Sequence, residues 1–311
     1  MTGKAKVQPV TRMALGPLVE LAEQLRTALP GWEDAPVTLH RATLPSDLAL
    51  DLAHLAHHDG DGFLTASLGD EVVGFAATFV RSRQLIISQP WLLPEHQSGE
   101  TAELLLRRAI GYAERSNAND HAGLALGGAP HHAAYLRFGL WPRFPVYRLV
   151  LPAERARTVG QELAKLLPAS ELTPDAAQRR VGSADLERLD RLVRGVARPM
   201  DHEYWLAERG LRLAKVREGQ RVAAYAYGGP NQCGPVVAAT TQAALAALGW
   251  ALQFAADGGT GDVQILVPAV FESAIENLLE AGASFRAVCT WMSRQPATGF
   301  ERYVFPSATI S

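Results

Sequence analysis

Only two cysteines, Cys233 and Cys289, occur among the 311 residues. That excludes a disulfide framework and a zinc site built from four cysteines. Both read as small buried hydrophobes in a reducing compartment. Lysine is scarce as well: Lys4, Lys6, Lys165 and Lys215 are the only ones, the other basic residues being arginine. With the abundance of alanine, this bias reads as a coding preference rather than a binding device. Neither sign of charge is in excess. The 30 basic and 32 acidic residues leave a formal charge of −2, which gives no electrostatic footprint for nucleic acid or an anionic membrane. No apolar run approaches the roughly 20 residues of a membrane helix. The leading apolar stretch, Leu15 to Leu29, is broken by Glu20, Glu23 and Arg26, unlike a signal peptide. A cytoplasmic protein, monomeric or homodimeric, is expected, with no nucleic-acid or membrane partner.

What the chain does have is ordinary globular material, 48% hydrophobic and 20% charged. Its length suits about two domains. Residues 1–13 read as loose. Leu18, Leu21, Leu25 and Leu29 then recur at helical spacing behind Pro17. A mixed pattern follows: a strand over Val37–Ala42, a helix opened by Ser46, a hairpin of Leu64–Leu68 and Glu71–Val80 about Gly69-Asp70, and a strand over Leu85–Leu93. A helix over Thr101–Arg115, a strand at Gly123–Leu126, a helix over Ala129–Phe138 and a closing strand at Val146–Leu151 complete the set. A helical Glu154–Leu167 and a turn-rich Pro168–Pro174 lead into a second pass. It holds a strand at Arg179–Val181, helices over Ala184–Val196 and Asp201–Glu208, and a hairpin of Leu211–Val216 and Val222–Tyr227. A strand at Gly234–Ala239, a helix over Thr241–Ala256, a strand at Val263–Val267 and a helix over Ala269–Glu280 follow, with Phe285–Met292 and Arg302–Phe305 closing it. The same string of elements occurs twice. The expected fold class is therefore α/β, as α+β mixed sheets in two tandem domains. The expected divisions are an extension (1–36), a first domain (37–152), a linker (153–177) and a second domain (178–311).

Two stretches suggest chemistry. Leu92-Leu-Pro-Glu-His-Gln-Ser-Gly-Glu-Thr-Ala102 passes from a strand end into a helix. Such a junction aims backbone N–H groups at one point and suits a phosphate, although an ordinary strand-to-helix turn has the same composition. Tyr135-Leu-Arg-Phe-Gly139 carries a phenol, a proton donor with an ordinary pKa near 10. A core tyrosine packed on a sheet fits the same residue.

With these two motifs the sequence resembles the GNAT superfamily of N-acetyltransferases. There a proline, an acidic residue and a Gln/Arg-x-x-Gly-x-Gly/Ala loop bind the pyrophosphate of acetyl-CoA, and the tyrosine of Tyr-x-x-x-Gly-Phe protonates the departing thiolate. Pro94, Glu95, Gln97, Ala102, Tyr135 and Gly139 fall on that pattern. The resemblance implies two tandem GNAT-like domains with acetyl-CoA as cosubstrate. The loop of Gln97, Ser98, Gly99, Glu100, Thr101 and Ala102 would hold the pyrophosphate, and Leu92 and Leu93 would pair with the pantetheine arm. Tyr135 would act as general acid while the primary amine of a small molecule or peptide attacks directly, with no metal. Glu100 stands where the family has glycine, and Gly128 where it often has asparagine. The strand Leu85–Leu93 holds no acid, so Glu71, His96, His131 and His132 are the nearest candidate bases. His131-His132, one turn before Tyr135, fits either a place facing the cleft or a helix cap. The second half keeps the layout without the glycine loop, and Leu278 takes the place of the tyrosine. A non-catalytic CoA- or metabolite-binding protein is the alternative reading.

Overall fold

The computed structural model describes residues 5–10, 15–33, 46–97, 99–126, 128–172, 184–230, 232–258 and 261–311. The chain divides into two compact units. Unit 1 comprises Met1–Arg143, Cys289–Pro296 and Thr309–Ser311; unit 2 comprises Phe144–Val288 and Ala297–Ala308.

In unit 1 the strands are β1 (Ala5–Pro9), β2 (Phe63–Leu68), β3 (Glu71–Arg81), β4 (Gln84–Leu92) and β5 (Asp120–Ala125). Here the strand order is β1-β2-β3-β4-β5-β12, with β12 spanning Ser284–Ser293. β1 to β4 form an antiparallel meander, β4 and β5 are parallel, and β12 is antiparallel to β5. The helices are α1 (Leu15–Thr27), α2 (Asp47–His58), α3 (Glu100–Arg115) and α4 (Ala129–Arg137). Ser46 caps α2 by accepting from the Ala49 amide, the role its hydroxyl suits. The apolar stripe of α3, Ala102, Leu105 and Ala109, packs with Leu64, Ala66, Val73, Ala76 and Leu92 of the sheet.

Unit 2 orders its strands β6 (Trp141–Leu151), β11 (Val263–Pro268), β10 (Gln232–Ala238), β9 (Arg221–Gly229), β8 (Arg212–Glu218) and β7 (Ala169–Leu172); β13 (Tyr303–Val304) also pairs with β10. Its helices are α5 (Ala153–Ala164), α6 (Ala184–Arg194), α7 (Pro199–Ala207), α8 (Thr241–Gly258) and α9 (Glu272–Glu280). The alanine-rich α8 forms the centre of its core. Among the described residues no helix is long and apolar enough to cross a membrane.

Several expectations change. The stretch read as loose contains β1, and the turn-rich linker contains β7. Both add to an existing edge, β1 on β2 and β7 on β8, so the neighbouring strand orders them more than their own weak patterning. The helix expected from Ala269 begins at Glu272, and β6 begins at Trp141 rather than Val146. The strands expected at Val37–Ala42 and Arg179–Val181 lie outside the described residues. The units also part from the boundaries 37–152 and 178–311. The strand that follows α4 pairs with β11 in unit 2, while the C-terminal half of β12 pairs with β5 in unit 1.

Candidate active site

The site is built where β4 and β5 separate. Their parallel ladder runs from Gln84↔Asp120 to Ile87↔Gly123. Beyond that pair β4 continues to Leu92 against β3, and β5 to Ala125 against β12. Each strand keeps its outer neighbour while the seam between them opens. The opening coincides with a bulge in β4, since β3 pairs with Ile87 and then Gln89 and passes over Ser88. A bulge inserts one residue, bends its strand and leaves that residue outside the ladder. Ser88 is fully buried, and its Oγ has no hydrogen-bond partner.

Tyr135 meets the sheet at this point. It projects from α4 into the cluster of Leu85, Ile87, Leu106, Ala125, Leu140 and Met292, with no solvent exposure. Gly123 makes room for it: a Cβ there would lie 2.6 Å from the Ile87 carbonyl oxygen and 3.0 Å from Cε1 of the Tyr135 ring. The Tyr135 hydroxyl has no hydrogen-bond partner. Burial alone drives its pKa well above the ordinary phenol value, because the phenolate would have to be desolvated. The Tyr-x-x-x-Gly spacing has a local cause. α4 ends with the Leu140 amide reaching back to the Tyr135 carbonyl (3.2 Å), and Gly139 turns the chain at φ 74°, a conformation glycine adopts without a Cβ penalty.

At the end of β4 the chain turns through Pro94–His96 into α3. Gly99 is the N-cap, at φ 110°, and no side chain caps the helix there. The amides of Glu100, Thr101 and Ala102 therefore lack intrahelical acceptors and sit at the positive end of the dipole. A small open cleft lies between this turn and α4, lined by Gln97, Gly99, Ala102, Glu103, Ala133, Ala134, Arg137 and Phe138. Arg137 stands 3.8 Å from Glu103 across it.

The other residues singled out from the sequence fall as follows. Gln97 donates from Nε2 to the Leu92 carbonyl at 3.3 Å, and the Leu93 amide donates to the Val73 carbonyl at 3.0 Å. These two backbone groups are thus engaged within the protein. Thr101 and Ala102 are buried, Glu100 is exposed, and Ser98 lies outside the described residues. Glu71 is exposed beside the β2–β3 turn, and His96 is half-buried. His132 is held by two contacts, Nδ1 to the Gly128 carbonyl (3.1 Å) and Nε2 to Thr290 Oγ1 (2.9 Å). His131 is buried, with Nδ1 unpartnered. Its pKa is lowered, by burial first and then by His132. Ser88 was missed in the sequence, although Ser88-Gln89-Pro90 within an otherwise apolar strand is a bulge signal. His54, His57 and His58 of α2 adjoin Asp59, whose carboxylate is engaged elsewhere. Asp59 accepts from Arg81, from the Val80 amide and from the Tyr112 hydroxyl. Among the described residues no group of His, Cys, Asp and Glu could hold a metal ion.

Unit 2 closes the corresponding seam. Among the described residues β10 and β11 pair in parallel at Gln232↔Gln264 and Cys233↔Ile265. β13 then takes the edge of β10, Val236↔Val304 and Val237↔Tyr303, and Phe305 bridges to Leu266. Gly234 has no Cβ, which would otherwise strike the Phe305 carbonyl. Arg194 and Arg198 both donate to the buried Tyr303 hydroxyl, at 2.6 and 3.1 Å. The N-terminus of α8 is closed by its own chain, with the Thr240 hydroxyl accepting from the Ala243 amide. Leu278, at the place of the tyrosine, is core.

No family model and no curated protein match the sequence. Solved structures do. A Pyrococcus horikoshii protein solved as a candidate acetyltransferase superposes with TM-score 0.70 at 16% identity, covering 99% of this chain and 96% of that one. A GCN5-related N-acetyltransferase from Sphaerobacter thermophilus gives 0.53 at 13%, covering 95% and 96%. A tandem GNAT protein from the clavulanic acid biosynthesis pathway gives 0.53 at 12%, covering 94% and 100%. These likenesses establish the fold as GNAT-type α/β, with two units in tandem.

Proposed function

We infer that unit 1 is an acetyl-CoA-dependent N-acetyltransferase acting on a primary amine. One observation carries this reading: a parallel seam opens beside a buried tyrosine hydroxyl that has no hydrogen-bond partner among the described residues. A buried hydroxyl without a partner costs stability, and a thiol delivered along the seam would supply the partner.

The donor groups fit acetyl-CoA as a substrate. The free amides of Glu100, Thr101 and Ala102 face the cleft end and would hold the pyrophosphate. The open edges of β4 and β5 would receive the pantetheine arm as an added strand. Leu92 offers packing more than hydrogen bonds, since Gln97 already occupies its carbonyl. The backbone at the Ser88 bulge is the donor we assign to the acyl oxygen. A neutral amine attacks the thioester carbon, the C–N bond forms as the C–S bond breaks, Tyr135 gives its proton to the departing sulfur, and the proton lost from the acylated nitrogen passes to solvent, from which the phenolate is reprotonated. The raised pKa keeps that proton on the phenol until a thiolate forms beside it.

A second reading, non-catalytic binding of CoA or another metabolite, draws on the two carboxylates at the site. Glu100 stands at the first helical position, and Glu103 lines the cleft. Calorimetric titration with CoA, followed by thiol release from acetyl-CoA across a panel of amines, separates the two. One site per chain with turnover supports catalysis; one site without turnover supports the binding protein. Two equivalent sites, or none, overturn the assignment to unit 1, because β13 and Thr240 leave unit 2 no open seam or helix end.

A further inference from the structure

A third unsatisfied polar group, besides Tyr135 and Ser88, lies on α4. His131 lies four residues before Tyr135, on the same face of α4, and is only 6% exposed. Its Nδ1 is buried and makes no hydrogen bond. Its neighbour fixes its level along the sheet. His132 reaches Thr290 of β12, and Thr290 is paired with Ala125 of β5. Ala125 lies two residues past Gly123, about 7 Å further along the strand. His131 therefore stands near the level of Ala125, beyond the last β4–β5 pair, while Tyr135 stands at the level of that pair. A chain with its thiol at Tyr135 and its phosphates at the head of α3 would run along β5 past the level of His131.

We propose that His131 is a positioning residue for acetyl-CoA, its Nδ1 hydrogen-bonding an amide of the pantetheine arm and setting the thioester against Tyr135. This rests on the reading of unit 1 given above. The pantetheine arm carries two secondary amides, each of which must find partners when it leaves water. A neutral imidazole can donate or accept at Nδ1 according to its tautomer, and the lowered pKa keeps the ring neutral at pH 7. His132 is the one charged or titratable group acting on it, and that ring is tied to Gly128 and Thr290. The hydroxyl of Tyr135 serves the sulfur, so the two residues divide the ligand between them.

The test is calorimetry with CoA on wild type, His131→Ala and His131→Asn, together with ring ¹⁵N NMR of His131 in wild type. His131→Ala is expected to bind CoA about five- to tenfold more weakly, the range of one lost hydrogen bond. His131→Asn, which places an amide near the Nδ1 position, is expected within about twofold of wild type on the same scale. The Nδ1 resonance should shift on adding CoA. A thermal melt of each variant confirms that it is folded. Alanine binding as tightly as histidine, or asparagine failing like a well-folded alanine, overturns the proposal while leaving the seam assignment intact. Wild-type protein that binds no CoA overturns the seam assignment itself, and this proposal with it.

Discussion

Replacing Tyr135 by phenylalanine should raise stability and lower activity at once. The ring keeps its contacts with Leu85, Ile87, Leu106 and Leu140, so no cavity forms. Only the hydroxyl is lost, and in the free protein that oxygen is buried without a partner. Leaving such a group unsatisfied costs about 1–3 kcal/mol, of which the substitution recovers part, about 1–2 kcal/mol. For a unit of about 150 residues, each kcal/mol moves the melting midpoint by roughly 2–4 °C. The transition of unit 1 can be recognised as the one that CoA shifts upward, and Tyr135→Phe should raise it by about 2–8 °C. The sign reverses for catalysis, where losing the general acid should lower kcat by about 10²–10⁴-fold with CoA affinity within a few-fold. Alkaline unfolding gives an independent check. The folded phenol ionises well above the ordinary value, so as pH rises past about 10 the unfolded chain gives up this proton first and stability falls. Tyr135→Phe removes that contribution, so its loss of stability above pH 10 should be shallower. A lowered midpoint would show that the hydroxyl has a partner in the free protein. Unchanged kcat would return Tyr135 to the core and leave the proton donor unassigned.

Glu100→Gly should tighten CoA binding while costing the helix about 0.3–1 kcal/mol of favourable charge–dipole interaction, plus the glycine penalty; titration and a melt on the same variant read both, and weaker binding would show that the carboxylate does not face the phosphates. In unit 2, Asp190 is fully buried and accepts from Tyr225 and from His202, itself bonded to Tyr227. With Arg198 also close by, Asp190→Asn should cost about 3–5 kcal/mol, as removal of one partner from a buried charge pair does. A loss under 1 kcal/mol in denaturant titration would refute this. CoA stoichiometry should stay at one per chain when Tyr303 is changed to Phe, because the strand β13 remains in its seam; a second site appearing by calorimetry would show that Tyr303 alone keeps it shut.

The element order of both passes was legible because it rests on local signals. Gly69-Asp70 and Glu218-Gly219 mark the hairpins, the leucine and alanine spacing marks α3, and Tyr135 to Gly139 marks a helix and its end. The pairing of distant segments was not. β6 and β12 are strands of similar character, and an alternating pattern does not say which sheet a strand joins. β13 is two residues long and gains its place from β10, 66 positions back in the chain along the Val237↔Tyr303 pair. The site divided the same way. The tyrosine, the glycine turn and the open helix end could be read from their spacing, whereas the unsatisfied state of Ser88, His131 and Tyr135 depends on three elements meeting at one bulge. Asp190 carried a partial signal, since it falls in phase with Leu186 and Val193 on the buried face of α6, but its partners His202, Tyr225 and Arg198 belong to other segments.

The exchange of closing strands fixes the order in which this protein can be completed during synthesis. β5 needs residues 290–293 as its outer neighbour, and those emerge from the ribosome after nearly all of unit 2. Until then the edge of β5 presents unpaired N–H and C=O groups, and the nascent first half holds an open sheet beside the β4–β5 seam. An unpaired, mostly apolar edge is a template for pairing with a neighbouring chain, so the interval is a window for misassembly on polysomes. Unit 2 meanwhile takes β6 from the earlier part of the chain and can start its sheet as soon as β11 appears. Its seam still waits for β13, so the sheets of both units are completed by strands from the last part of the chain.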